Sequence, residues 1–96
     1  MSDFSDVPAE QRFEQGFTDA QGEVRLVYAD YAVRGDARVI LHVEADPALR
    51  GSGAAGRFMQ SLAEHAREHG FKLYPTCSYA KAWLERHPDY ADVSGL

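Results

Sequence analysis

Asp46-Pro47-Ala48-Leu49-Arg50-Gly51-Ser52-Gly53-Ala54-Ala55-Gly56 is the stretch on which the reading of this chain turns. Before it, Arg38 to Ala45 alternates as a strand does: Val39, Leu41 and Val43 stand against Ile40, His42 and Glu44, so one face is expected to be the more polar. Pro47 cannot donate to a ladder and closes that strand. After it the period changes. Ala55, Phe58, Met59, Leu62 and Ala66 share one helical stripe, with Arg57, Gln60, Glu64 and Arg67 opposite, which predicts a helix from about Ala54 to His69 that stops at Gly70. A strand, a glycine loop and a helix start in this order bring unpaired backbone N–H groups to the positive end of a helix dipole. That is an anion site. Glycines at 51, 53 and 56 let the backbone approach a bulky polyphosphate, although a tight turn with close helix packing also explains them.

Working outward, Arg12 to Phe17 and Glu23 to Tyr31 read as strands separated by the reversing loop Thr18-Asp19-Ala20-Gln21-Gly22. A second turn at Arg34-Gly35-Asp36 leads into the strand before the glycine loop. Beyond Gly70, a short strand at Phe71 to Tyr74 is followed by a Pro75-Thr76-Cys77 break and a helix over Tyr79 to Arg86, ended by Pro88. Asp89 to Leu96 shows no clear pattern. The expected class is α+β: an antiparallel meander, a glycine loop, a helix, a strand and a short helix. Residues 1–9 are expected to be a flexible N-terminus and residues 10–93 a single domain.

Ninety-six residues suit one domain with one core, and 45% hydrophobic with 26% charged residues is an ordinary globular composition. The start, Met1-Ser2-Asp3-Phe4-Ser5-Asp6, has neither a basic nor an apolar leader segment, and no apolar run is long enough to span a membrane. A cytoplasmic protein is expected. The single cysteine, Cys77, cannot form an intrachain disulfide and leaves no multi-cysteine zinc site, so no metal is expected. A net charge of −5 argues against broad phosphate-driven nucleic-acid binding and slightly favours a cationic partner, though solubility accounts for it as well.

Three phosphate-binding patterns compete for the loop. Walker A needs Lys then Ser or Thr after its last glycine, and Gly56 is followed by Arg57-Phe58. The dinucleotide fingerprint G-x-G-x-x-G matches Gly51, Gly53 and Gly56, but Phe71 to Thr76 offers no acidic residue for a ribose, and the preceding strand is expected in an antiparallel meander rather than a parallel βαβ unit. The third pattern is [Q/R]-x-x-G-x-[G/A], which Arg50-Gly51-Ser52-Gly53-Ala54-Ala55 satisfies. With Leu41-His42-Val43-Glu44, Asp46-Pro47-Ala48-Leu49, Ala66-Arg67-Glu68-His69-Gly70, Pro75-Thr76-Cys77 and His87-Pro88-Asp89-Tyr90, the chain resembles a family of very short members of the GNAT superfamily of N-acetyltransferases.

That resemblance implies a minimal GNAT-like fold that binds acetyl-coenzyme A or coenzyme A. It implies that the amides of Arg50, Gly51, Ser52, Gly53, Ala54 and Ala55 hold the pyrophosphate. It implies too that the strand before them, at Val43 and Ala45, runs beside the pantetheine arm. The acceptor would be an amine on a small molecule or a basic protein; the alternative is a non-catalytic acyl-coenzyme A module. The two helices that usually wall the acceptor side are replaced by Asp19 to Gly22, so the acceptor site is expected to be either shallow or completed by another molecule, such as a second copy in a homodimer or a protein partner. Where larger members often carry a tyrosine as general acid, this chain has Ala82-Trp83-Leu84, and an indole N–H is no proton source near neutral pH.

Three side chains are catalytic candidates. Cys77 lies between a strand and a helix, where N-terminal N–H groups raise thiolate character; a buried inert cysteine is the plainer account. His42 and Glu44, two residues apart on one strand face, can each take a proton from an amine, or be merely solvent-exposed. His65-Ala66-Arg67-Glu68-His69 matches a zinc-peptidase pattern but has no third ligand in view, and His69 fits better as a cation at a helix C-terminus. Tyr79, Trp83 and Tyr90 are expected to cap the core rather than stack on a base.

Overall fold

Five strands form one sheet in the order β1 (Ser5–Val7), β2 (Arg12–Thr18), β3 (Val24–Arg34), β4 (Ala37–Ala45) and β5 (Lys72–Pro75) in a computed structural model that describes residues 4–96. β1 to β4 pair antiparallel, and β5 joins β4 in parallel after the crossover through α1 (Ala54–His69). A shorter helix, α2 (Ser78–Arg86), follows β5. The α+β order expected from the sequence is therefore present, with α1 on the predicted bounds.

Strand alternation decides which face each residue takes. Phe13, Val27, Ala29, Tyr31, Ile40 and Leu73 point to one face and are buried there beneath Phe58, Met59, Leu62 and Ala66 of α1 and Ala80, Trp83 and Leu84 of α2, all in one cluster. Both helices thus cover the same side. On the opposite face, Arg12, Asp30 and His42 form one cross-strand row and Glu14, Tyr28 and Glu44 the next, with no helix over them. The loop after β2 is a tight reversal: the Asp19 carboxylate accepts from Gln21 N at 2.8 Å, Glu23 N at 2.9 Å and Arg25 Nε at 2.9 Å. These partners, Arg25 first, hold the Asp19 carboxyl below its ordinary value. No helix is inserted at this point.

Four points depart from or add to what the residues led one to expect. First, residues 1–9 are expected to be a flexible N-terminus, but within them Ser5–Val7 is a strand on β2, and the Tyr31 hydroxyl donates to Asp6 at 2.7 Å. Burial and then that bond push the Tyr31 phenol up to about 12. Phe4 stacks on Phe13, so the described fold begins at Phe4, while residues 1–3 of the expected terminus lie outside the described residues. Second, the glycine loop does sit in a parallel βαβ unit, because β4 is antiparallel to β3 on one side and parallel to β5 on the other. The case against a dinucleotide then rests on β5 alone, which reads Lys72-Leu73-Tyr74-Pro75 with no acid. Third, Pro88–Val93 forms 3-10 turns that bury Tyr90 and Val93, held to α1 by a fork from Arg67 to Asp92 at 2.7 and 2.8 Å. The fourth concerns β4.

Candidate functional site

The simple alternation read along β4 fails at Leu41. Tyr31 pairs with Ile40 and Asp30 with His42, which leaves Leu41 as an extra residue, a β-bulge. Ile40 is fully buried while Leu41 is 49% exposed, and after the bulge Val43 and Ala45 turn towards the core and His42 and Glu44 away from it. One extra residue swaps every side chain that follows to the other face.

The backbone is reset in the same way. Tyr31 N–H is spent on Gln11 of the β2 side and Asp46 N–H on Leu26 of β3, so the residues of β4 that exchange bonds with β3 above the bulge are His42, Glu44 and then Asp46. Val43 and Ala45 consequently turn their N–H and C=O groups to the outer edge. Below the bulge that edge is occupied by β5, whose pairing ends at Ile40 opposite Pro75. The Ile40 carbonyl accepts from Thr76 N at 3.0 Å, Cys77 N at 3.2 Å and the Thr76 hydroxyl at 3.2 Å, and the chain then leaves into α2. β4 and β5 are therefore joined at one end and split apart at the other, with the two outward-facing peptides lining the split.

Above the split lies the glycine loop. Asp46 accepts from Ala48 N at 2.9 Å and starts a 3-10 turn at Pro47–Leu49; Gly51 and Gly53 then take φ of 80° and 79°, values that side-chain-bearing residues rarely adopt. The Ser52 hydroxyl donates to Leu49 O at 2.6 Å and accepts from Ala54 N at 3.2 Å, so it braces the turn. Among the described residues, the amides of Gly51, Gly53, Ala55 and Gly56 meet no acceptor, since the first helical bond is Arg57 N to Gly53 O at 3.1 Å. Four free donors at the start of a 16-residue helix form a nest whose chemistry suits an anion. Of the six loop amides expected to hold a pyrophosphate, Arg50 N donates to Pro47 O at 3.1 Å, Ser52 N to Leu49 O at 3.1 Å and Ala54 N to the Ser52 hydroxyl, which leaves Gly51, Gly53 and Ala55 open, and Gly56 adds a fourth donor. Arg50 is exposed at the rim and has no carboxylate partner among the described residues.

Cys77 caps α2 with its side chain half-buried against the core, and its N–H ties it to Ile40. His42 and Glu44 meet each other across 2.7 Å on the open face. The three candidates therefore flank the base of the split from its two sides. Trp83 is nearly buried, stacked on His87 at 3.8 Å, with its Nε1 only 3.9 Å from where a Cβ on Gly56 would lie. It and Tyr90 cap the core as expected; Tyr79 is instead 40% exposed. His65 packs among Phe4, Phe13 and Phe71, and burial first, then His69, lowers its pKa. His69 donates from Nδ1 to the His65 carbonyl at 2.9 Å, a bond within the last turn of α1. A cavity of about 220 Å³ lined by Phe4, Ser61, Glu64, His65 and Glu68 lies along α1, with no residue of the loop or the split in its lining.

The comparisons agree with this geometry. The profile of the GCN5-related N-acetyltransferases matches residues 12–93. The solution structure of a GCN5-like N-acetyltransferase candidate from Staphylococcus aureus superposes with a TM-score of 0.61 at 27% identity, covering 98% of this chain and 90% of that one. No protein of curated function matches the chain. A parallel β4–α1–β5 crossover with a split edge and a glycine loop at its head, together with a profile match over most of its length, shows that the chain belongs to the GCN5-related N-acetyltransferase family.

Proposed function

We propose that the protein binds acetyl-coenzyme A or coenzyme A and transfers the acetyl group to an amine. The observation that carries this reading is the alignment of two sets of free backbone groups: the Gly51, Gly53, Ala55 and Gly56 amides at the helix start, and the outward peptides of Val43 and Ala45 beside the split. The first set suits a pyrophosphate and the second an extended amide-bearing arm, so the donors present fit the coenzyme. When bound, that group supplies an acyl thioester. In this reading Glu44, or His42 supported by its 2.7 Å bond to Glu44, takes the proton of an attacking amine. Cys77 has two roles open to it: to give a proton to the departing sulfur, or to accept the acyl group first, in which case intact-mass analysis shows an acetyl adduct. An unchanged mass during turnover removes the second role.

The open sheet face supports an acceptor that is bulky or approaches with a partner, such as a basic protein or a second copy of this chain. No helix among the described residues is long and apolar enough to cross a membrane, and the negative charge weighs against nucleic acid. A lone free thiol suits a reducing, cytoplasmic compartment. The alternative, a non-catalytic acyl-coenzyme A module, is favoured by the burial of Trp83 at the place where a proton donor would help. Free-thiol release from acetyl-coenzyme A with amines and basic peptides separates the two.

Titration calorimetry with coenzyme A tests the reading directly, since a ligand of the folded state also raises its melting temperature. Gly53→Asp places bulk and negative charge in the nest and is expected to abolish the heat. Unchanged affinity in that variant would move the phosphates elsewhere.

A further inference from the structure

Arg57 stands outside the six-residue glycine motif, yet its side chain folds back over it. Its Nη1 donates to the Ser52 carbonyl at 3.1 Å and lies 3.8 Å from the position a Cβ on Gly53 would take. The guanidinium carbon is 5.4 Å from the centre of the Phe17 ring, at the end of β2. A long, exposed side chain loses rotamer freedom when it is fixed at a carbonyl and a ring, and water would serve that carbonyl as well. In this chain 15 acids face 10 Lys and Arg residues, and Arg12, Arg25 and Arg67 are each held on an aspartate. Arg57 has no carboxylate within ion-pair distance among the described residues, although it lies against the Ser52–Gly53 peptide of the loop that carries the unpaired amides. A guanidinium has five N–H donors in a planar fork that matches phosphate oxygens, and one of them is engaged at Ser52.

We propose that Arg57 is a positioning residue for the phosphates of the coenzyme: it pins the Ser52 carbonyl and with it the planar Ser52–Gly53 peptide, so that the Gly53 amide keeps its direction, and it sets a full positive charge against the loop. This rests on the coenzyme A reading of the loop and extends it to a side chain the motif does not include. The contribution depends on phosphate, so it is absent for a ligand that has only the pantetheine arm.

The test is calorimetry with coenzyme A and with pantetheine on the wild type, Arg57→Gln and Arg57→Lys, with the unliganded melting temperature of each. The wild type is expected to bind coenzyme A more tightly than pantetheine. Arg57→Gln should lower coenzyme A affinity about tenfold, the size of a charge-assisted contact, and leave pantetheine affinity and melting temperature nearly unchanged. Arg57→Lys keeps the charge but loses the fork, and recovers only part. A coenzyme A to pantetheine ratio in Arg57→Gln equal to that of the wild type overturns the proposal, whether neither affinity moves or both fall together. A wild type that shows no preference for coenzyme A over pantetheine overturns the reading of the loop and the proposal with it.

Discussion

The two halves of β4 belong to one strand and have opposite surroundings. Ala37 to Ile40 is paired on both sides, with β3 and β5, and ends in a fully buried isoleucine. His42 to Ala45 is paired on one side only and leaves two peptides facing a split. One bulged residue, Leu41, divides them. The difference shows how a single insertion into an antiparallel ladder can turn a fully paired strand into an open edge without a loop or an added element.

Stability should follow the first half and binding the second. Ile40→Ala removes a core side chain under both helices and is expected to cost about 2–5 kcal/mol in denaturant unfolding. Val43→Ala, on the partly covered half, should cost markedly less. Equal losses would break the comparison. Next in size is a proline pair. Val39→Pro strikes a position flanked by Ala32 and Tyr74 and should prevent folding, whereas Ala45→Pro removes an N–H that faces the split and should leave a folded protein. With one hydrogen bond gone, its coenzyme A affinity should fall about two- to tenfold by calorimetry. An Ala45→Pro protein with undiminished affinity would show that this edge is not used.

The smallest effect lies outside both halves and serves as a control. Hydrogen bonds from Arg67 hold the Asp92 carboxyl below its ordinary 3.8, so the unfolded chain binds the extra proton first as pH falls. The stabilisation is complete above 3.8 and is lost as pH drops through the lower folded value. Melting temperatures should show a small advantage of wild type over Asp92→Asn at neutral pH that disappears in acid, with coenzyme A binding at neutral pH the same in both. An advantage that persists in strong acid would contradict the assignment.

Much of this was legible in the chain. The period of 3.6 from Ala55 to Ala66 and the stop at Gly70 marked α1, and the glycines of the loop marked its open amides. The bulge was not, because a strand carrying Ile40, Leu41 and Val43 in near succession reads as simple alternation unless the partner strand is known. Nor was the pairing of β5, since four residues carry no record of which neighbour they join or in which direction. β1 was hidden for a related reason: Ser5-Asp6-Val7 has little strand character, and it is fixed by Tyr31 and Phe13, which lie far along the sequence. Arg57 lies on the polar stripe of α1, and that position alone does not reveal that its side chain turns back over Ser52.

Backbone amide NMR of the labelled protein during titration with coenzyme A tests the central claim most directly. The account predicts that the largest shifts occur at Gly51, Gly53, Ala55, Gly56, Val43 and Ala45, with small ones at Ala37, Val39 and the lining of the Glu64–His65 cavity. Shifts centred on that cavity, or none at saturating ligand, would contradict it.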